Sequence, residues 1–160
     1  MGAKTSKEER MYLRIRNLCG LLGLGIVLFP CKVSWIPAGT PVGFFQVPVE
    51  ASHIVHMVCA ALFFIVIACN SIFQFTKSGP TMTERKKIRN RIYRICGYGM
   101  FVAEAAFGVS QLLKAPGYSI MIIEIVLLLL FGFAWLVKGE AFPFLNDVEE
   151  EPAEEGGGAR

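Results

Sequence analysis

Two histidines and two glutamates of this 160-residue chain lie inside otherwise apolar stretches, one of which also carries Arg94 at its edge: His53, His56, Glu104 and Glu124. A charge at the centre of an apolar span costs at least about 2.5–3.5 kcal/mol on insertion scales, so such groups need partners, water or a task. His53 and His56 are spaced i, i+3 and share one helix face. Counted at about 1.5 Å per residue from the nearer end of each run, His56 lies ~8 Å in and Glu124 ~9 Å in. The two fall at one level, with Ser52 and Ser119 near the same surface, which allows a His–carboxylate pair. Glu104 lies deeper, ~14 Å from the end of its run, and is either neutral or, if ionised, in need of a partner such as His56 or a polar cavity. His53 is close enough to the boundary to be interfacial. The chemistry open to this set is an interhelical hydrogen bond, usually worth only ~0.6–2 kcal/mol, or a site for a proton or ligand.

Other chemistries fit poorly. Two His and one Glu would make three ligands for a catalytic zinc, but no third His and no Asp occurs in any apolar run, so neither a metal nor another cofactor is assigned. The Ser and Cys residues show no identifiable base and orienting group, and no Gly-rich phosphate loop is present. The five Cys have no CxxC spacing and read as small hydrophobes. The expectation is therefore a protein that is not an enzyme.

The elements that must position these residues follow from composition. Hydrophobic residues make up 54% and charged residues 18% of the chain, with a mean hydropathy of +0.51. A soluble domain of this size cannot hide that much apolar surface, so the excess must face lipid. Four runs carry it, over residues 18–35, 51–75, 92–113 and 118–137, with Pro30 and Lys32 interrupting the first. Ala115, Pro116 and Gly117 break the last two apart. The fold class expected is all-α: an integral membrane protein with four transmembrane helices in an antiparallel up-down bundle. Residues 1–17 form a basic cytoplasmic lead, 18–140 the membrane domain and 141–160 an acidic tail expected to be disordered.

Charge distribution sets the orientation. Residues 1–17 hold Lys4, Lys7, Arg10, Arg14 and Arg16, and the second connection holds Lys77, Arg85, Lys86, Lys87, Arg89 and Arg91, with Arg94 just beyond. The 36–50 loop holds no Lys or Arg. The positive-inside rule places both termini in the cytoplasm. Because the basic residues flank apolar runs, they do not suggest nucleic acid. Arg85, Lys86, Lys87, Arg89, Arg91 and Arg94 are instead candidates for anionic lipid headgroups, at about 1 kcal/mol each. The acidic tail is a solvated end, or else a partner for this basic loop. Gly20, Gly23, Gly25, Gly99 and Gly108 supply small surfaces for close helix packing. Pro30 is expected to kink the first helix and free a carbonyl that needs another partner. Asn70, Ser71 and Gln74 can hydrogen-bond between helices.

Three stretches carry a resemblance: NLCGLLGLGIVLFP at 17–30; HMVCAALFFIVIACNSIFQFTKSGP at 56–80 with RNRIYRICGYGM at 89–100; and FGFAWLVKGE at 131–140. Together they resemble a group of uncharacterised bacterial multi-pass inner-membrane proteins that combine an ALFP helix, a His-led second helix, an RNRxYRxCG entry to the third and a terminal WLVKGE. The resemblance implies a bacterial inner membrane location, with His56, Glu124 and Lys138, Gly139 and Glu140 matching the pattern. It implies no activity. The function expected is that of a non-enzymatic structural, accessory or sensor component, in contact with the bilayer and with anionic headgroups, alone, as a homo-oligomer or in a larger membrane complex. The alternative is an oligomeric proton, ion or small-solute transport component using His56, Glu104 and Glu124. A lipid-modifying enzyme is disfavoured by the missing nucleophile and metal sets.

Overall fold

The structure is a computed structural model that describes residues 7–77 and 82–147. It is helical apart from one two-residue strand pair, and four helices are long and apolar enough to cross a membrane. The first, α1 (Lys7–Leu28), begins well before the apolar run expected at 18–35 and stops short of its end. Both shifts have local causes. Lys, Glu and Arg in the lead are good helix formers, so the helix propagates into the basic segment. Pro30 has no N–H and disfavours helical geometry at Phe29, so the apolar character continues past the point where the helix can.

The connection from α1 is ordered. Strand β1 (Pro41–Val42) pairs antiparallel with β2 (Val47–Pro48), Pro41 opposite Pro48 and Val42 opposite Val47. Gly43 turns this hairpin at φ 71°, and a Cβ there would lie 2.6 Å from the carbonyl of Leu28, so the turn can seat against the end of α1 only with glycine. Phe45 stacks on Phe29 with ring centroids 5.3 Å apart. The next helix, α2 (Val49–Cys69), starts directly from β2 and continues through a five-residue π-helical turn, Asn70–Gln74. There Phe75 N–H donates to Asn70 O, five residues back.

Thr83 opens the third helix, α3 (Glu84–Leu112), its hydroxyl accepting from Lys86 N–H at 3.0 Å as an N-cap. The helix starts eight residues before the apolar run at 92–113 because the charged RNRIYR segment is itself helical. After Pro116, α4 (Gly117–Lys138) matches the fourth run to within a residue at either end.

Helix α1 packs on α2, α2 on α3 and α3 on α4, while no comparable packing joins α1 to α4. One core holds Ile67 and Ala68 of α2, Met100 and Ala103 of α3 and Leu127 of α4. A second gathers Phe75, Tyr93, Val137 and Leu145 where α2, α3 and the chain after α4 meet. At Gly97 a Cβ would come within 2.4 Å of the Ile72 side chain and 3.0 Å of Ala68 O, so this glycine sets how closely α2 and α3 approach. Gly25 does the same for α1 against Cys59, and Gly99 seats Leu130. Gly20 and Gly108, expected to serve such packing, face open space instead. Large apolar side chains stay outward along the helices, among them Val27 at 78% and Val102 at 70% exposure. Extended exposed apolar surface of this kind marks a face that contacts another apolar surface or a membrane.

The helix array has two unlike ends. The α1–α2 connection and the α3–α4 turn make up a loop end, while the start of α1, the α2–α3 connection and residues 139–147 make up a basic end.

Candidate functional site

At the loop end, Pro30 leaves the carbonyl of Ile26 without its helical donor. His56 replaces it. Its Nδ1 donates to both Ile26 O, at 3.1 Å, and Phe29 O, at 2.9 Å. Because carbonyl oxygens only accept, Nδ1 carries a proton, and Nε2 is the nitrogen left for other chemistry. One turn earlier Ser52, fully buried, donates its hydroxyl to Pro30 O at 2.8 Å. Ser52 and His56, spaced i, i+4 on α2, thus stitch the broken end of α1 in place, which is where the carbonyl freed by Pro30 finds its partner.

His53 is used differently. Its Nδ1 faces the Cys31 thiol at 3.2 Å and accepts from Lys32 N–H at 3.5 Å, so it holds the connection after Pro30 and is not among the residues lining the cavity of the carboxylates. Lys32 also reaches Glu50 at 3.5 Å, and Glu50 accepts from Gly39 N–H at 3.1 Å. The connection is therefore tied to the start of α2 at several points.

His56, Glu104 and Glu124 line one cavity of about 450 Å³. Three helices supply them, α2, α3 and α4, and α1 contributes Gly23 and Ile26 to the wall. The space exists because Gly23, Ala60 and Ala61 are small where bulky neighbours would close it. The remaining wall is apolar, with Met57, Leu127 and Leu128 beside four aromatic rings, Phe63, Phe64, Phe107 and Phe131. No sequence pattern marks these four, since a phenylalanine at helical spacing reads equally well as core. Neither Glu104 nor Glu124 forms a hydrogen bond or ion pair with a described residue. The His–carboxylate pair that equal depth allows is not formed: the hydrogen bonds of His56 run from Nδ1 to α1, and Nε2 has no carboxylate partner among the described residues. Among the described residues no group of three or more His, Cys, Asp or Glu is placed to hold a metal ion.

No protein-family model, curated protein or solved structure matches this chain.

The basic cluster splits into two sets. Arg89 is only 8% exposed and donates one arm to Leu145 O at 2.6 Å and the other to the Asp147 carboxylate at 2.5 Å. Arg85 donates to Asn146 O at 2.5 Å, and Lys86 to Phe75 O at 3.1 Å. Lys87 pairs with Glu84 at 2.6 Å and stays exposed, as do Arg91 and Arg94. Of the six basic candidates, Lys87, Arg91 and Arg94 are therefore exposed, whereas Arg89 is held by the chain itself. Residues 141–147, expected to belong to a disordered tail, carry a 3-10 turn (Pro143–Leu145) that buries Leu145 against Tyr93 and Val137. Asp147 lies below its ordinary carboxyl range because the Thr83 hydroxyl and the Arg89 guanidinium donate to it. The rest of that tail, 148–160, lies outside the described residues. Of the polar residues near the π-helical turn, Ser71 Oγ and Gln74 Oε1 are buried without a partner among the described residues.

Proposed function

We propose that the protein is a four-span integral membrane protein of the bacterial inner membrane, both termini cytoplasmic, that acts without catalysis as a sensor or accessory component by holding a small apolar cation in the cavity of His56, Glu104 and Glu124. The observation that carries this is the co-lining of one cavity by two carboxylates with no partner among the described residues, amid four phenylalanines. An ionised carboxylate in apolar surroundings needs a counter-charge, and aromatic faces attract cations as well. An occupant with one positive charge and an apolar body satisfies both walls at once. The exposed apolar helix faces support insertion in lipid. The basic residues collected at one end support the orientation. The inner membrane location rests on the resemblance carried by residues 17–140.

The test is equilibrium binding of tetraphenylphosphonium to the purified protein in detergent. Saturable binding should be lost in Glu104→Gln with Glu124→Gln and weakened in each single variant. Binding equal to wild type in the double variant would sink the proposal. A second reading, proton or ion transport, draws on the same three titratable groups. It requires an oligomer, because four helices make a thin wall, and it expects proteoliposome flux that either glutamine variant abolishes. Cation binding without flux favours the sensor.

A further inference from the structure

Because α1 and α4 do not pack together, a cleft runs between them along α2. Its part toward the basic end encloses about 1100 Å³, and Gly23, Phe63 and Phe131 separate it from the carboxylate cavity. The walls there are largely apolar, with Cys19, Gly20 and Ile67 beside the two phenylalanines, and Asn70 and Gln74 add two amide side chains. The mouth is cationic: Arg16 from α1, Lys77 after α2 and Lys138 at the end of α4, with Glu9 the only acid among the lining residues.

Arg16 and Lys138 differ from the cations of α3. Arg85, Lys86 and Arg89 donate to backbone carbonyls or to Asp147. Lys138 instead lies over the Phe75 ring at 5.9 Å, a contact that holds an ammonium in place without cancelling its charge. Arg16 forms no hydrogen bond or ion pair with a described residue. Lys77, over the Tyr12 ring at 5.1 Å, adds a third cation at the same mouth. The positive charge of Arg16 and Lys138 is thus left for something outside the chain, and the apolar groove behind it gives that occupant its shape.

We propose that this cleft is a binding site for an anionic phospholipid of the leaflet facing the basic end. Its phosphate lies between Arg16 and Lys138 with Lys77 alongside, and an acyl chain lies between α1 and α4 along Gly20, Phe63 and Phe131. Such a lipid enters sideways from the bilayer, with its head at the interface and its tail toward the midplane. The site is distinct from the exposed Lys87, Arg91 and Arg94, which touch headgroups from outside the helix array. The inference rests on the membrane insertion proposed above and not on the cation cavity.

Trp135 lines the same cleft, and Trp35, in the α1–α2 connection, is the only other tryptophan. In a Trp35→Phe background, full-length protein is reconstituted into phosphatidylcholine vesicles containing rising fractions of brominated phosphatidylglycerol or brominated phosphatidylcholine. Trp135 quenching then reports which lipid occupies the cleft. The anionic lipid should be preferred, and Arg16→Gln with Lys138→Gln should lower the preference about fivefold for each charge removed. The control Arg91→Gln with Arg94→Gln should keep it. Gly20→Phe fills the groove without altering charge, since a Cβ at Gly20 meets nothing within 4 Å, and should reduce quenching by both lipids. Equal quenching by both lipids in the parent, an unchanged preference in the Arg16 and Lys138 variant, or unchanged quenching in Gly20→Phe overturns the site while leaving membrane insertion intact. No quenching by either lipid overturns the insertion itself.

Discussion

At the basic end, the guanidinium of Arg89 is nearly sealed from solvent and each arm has an acceptor, Leu145 O and Asp147. At the loop end, Glu104 and Glu124 border a cavity with no acceptor or donor from the described chain. Arg89 is buried and closed by the protein, whereas Glu104 is half-buried, Glu124 is exposed on its helix, and neither is closed by the chain. A paired buried charge is an element of structure: removing one partner harms the other. An unpaired charge in an apolar span needs water or a partner from outside the chain. His56 belongs to both worlds, because Nδ1 is committed to Ile26 O and Phe29 O while Nε2 is not.

Arg89→Ala should give the largest loss, because it strands the carbonyl of Leu145 and removes the partner of Asp147 together. The expected cost is about 2–3 kcal/mol, below the full value for a buried pair because the side chain of Asp147 is 41% exposed. Arg89→Lys keeps the charge but not the two-armed geometry and should lose roughly half as much. Unfolding in mixed detergent micelles measures both. A change under about half a kcal/mol in Arg89→Ala would dissolve the distinction between the ends.

Next in size is His56→Ala, expected to cost about 1–2 kcal/mol by leaving two carbonyls without a donor. Pro30→Ala restores an N–H for Ile26 O, so His56→Ala should cost less in that background, by about half a kcal/mol or more. If the two changes simply add, His56 does not act through the broken helix end.

The level of the site is readable in the sequence, but its wiring is not. Depth follows from rise per residue, and the boundaries of the apolar runs of α2 and α4 fix where counting starts, so spacing alone puts His56 and Glu124 at one height. Which way His56 turns depends on how α2 is rotated against α1, and that is set by contacts such as Gly25 on Cys59, distant in the chain. The first helix departs from its apolar run because hydropathy ignores the missing N–H of Pro30. The folded start of the tail is hidden by composition: acids and glycines dominate after Asn146, masking Phe142 and Leu145, the two apolar anchors that dock against Tyr93 and Phe75. Arg89 and Asp147 are 58 residues apart, a pairing that no local pattern encodes.

A sharper contrast comes from Glu104→Gln and Glu124→Gln. If these carboxylates contribute to a ligand site and not to packing, each variant should stay within about 0.6 kcal/mol of the parent, the size of an ordinary interhelical side-chain bond. Tetraphenylphosphonium binding should fall at the same time. Destabilisation matching that of Arg89→Ala would place these glutamates among the structural charges and erase the difference between the ends.

The smallest effect concerns acid. Asp147 has its carboxyl lowered in the folded chain, first by the Thr83 hydroxyl and then by Arg89, so the docked segment binds a proton less readily than the free one. The stabilisation this gives is complete above the ordinary aspartate value of about 3.9 and is lost as pH falls through the lowered folded value. The loss should be smaller than that in Arg89→Ala, because Leu145 O still accepts from Arg89 when Asp147 is protonated. Amide NMR shifts of Leu145 and Asn146 followed between pH 7 and pH 2 should therefore move only in the acidic limb. Asp147→Asn should flatten that limb. Movement centred near neutrality, or tighter docking in acid, would mean that Asp147 is not what holds this segment to Arg89.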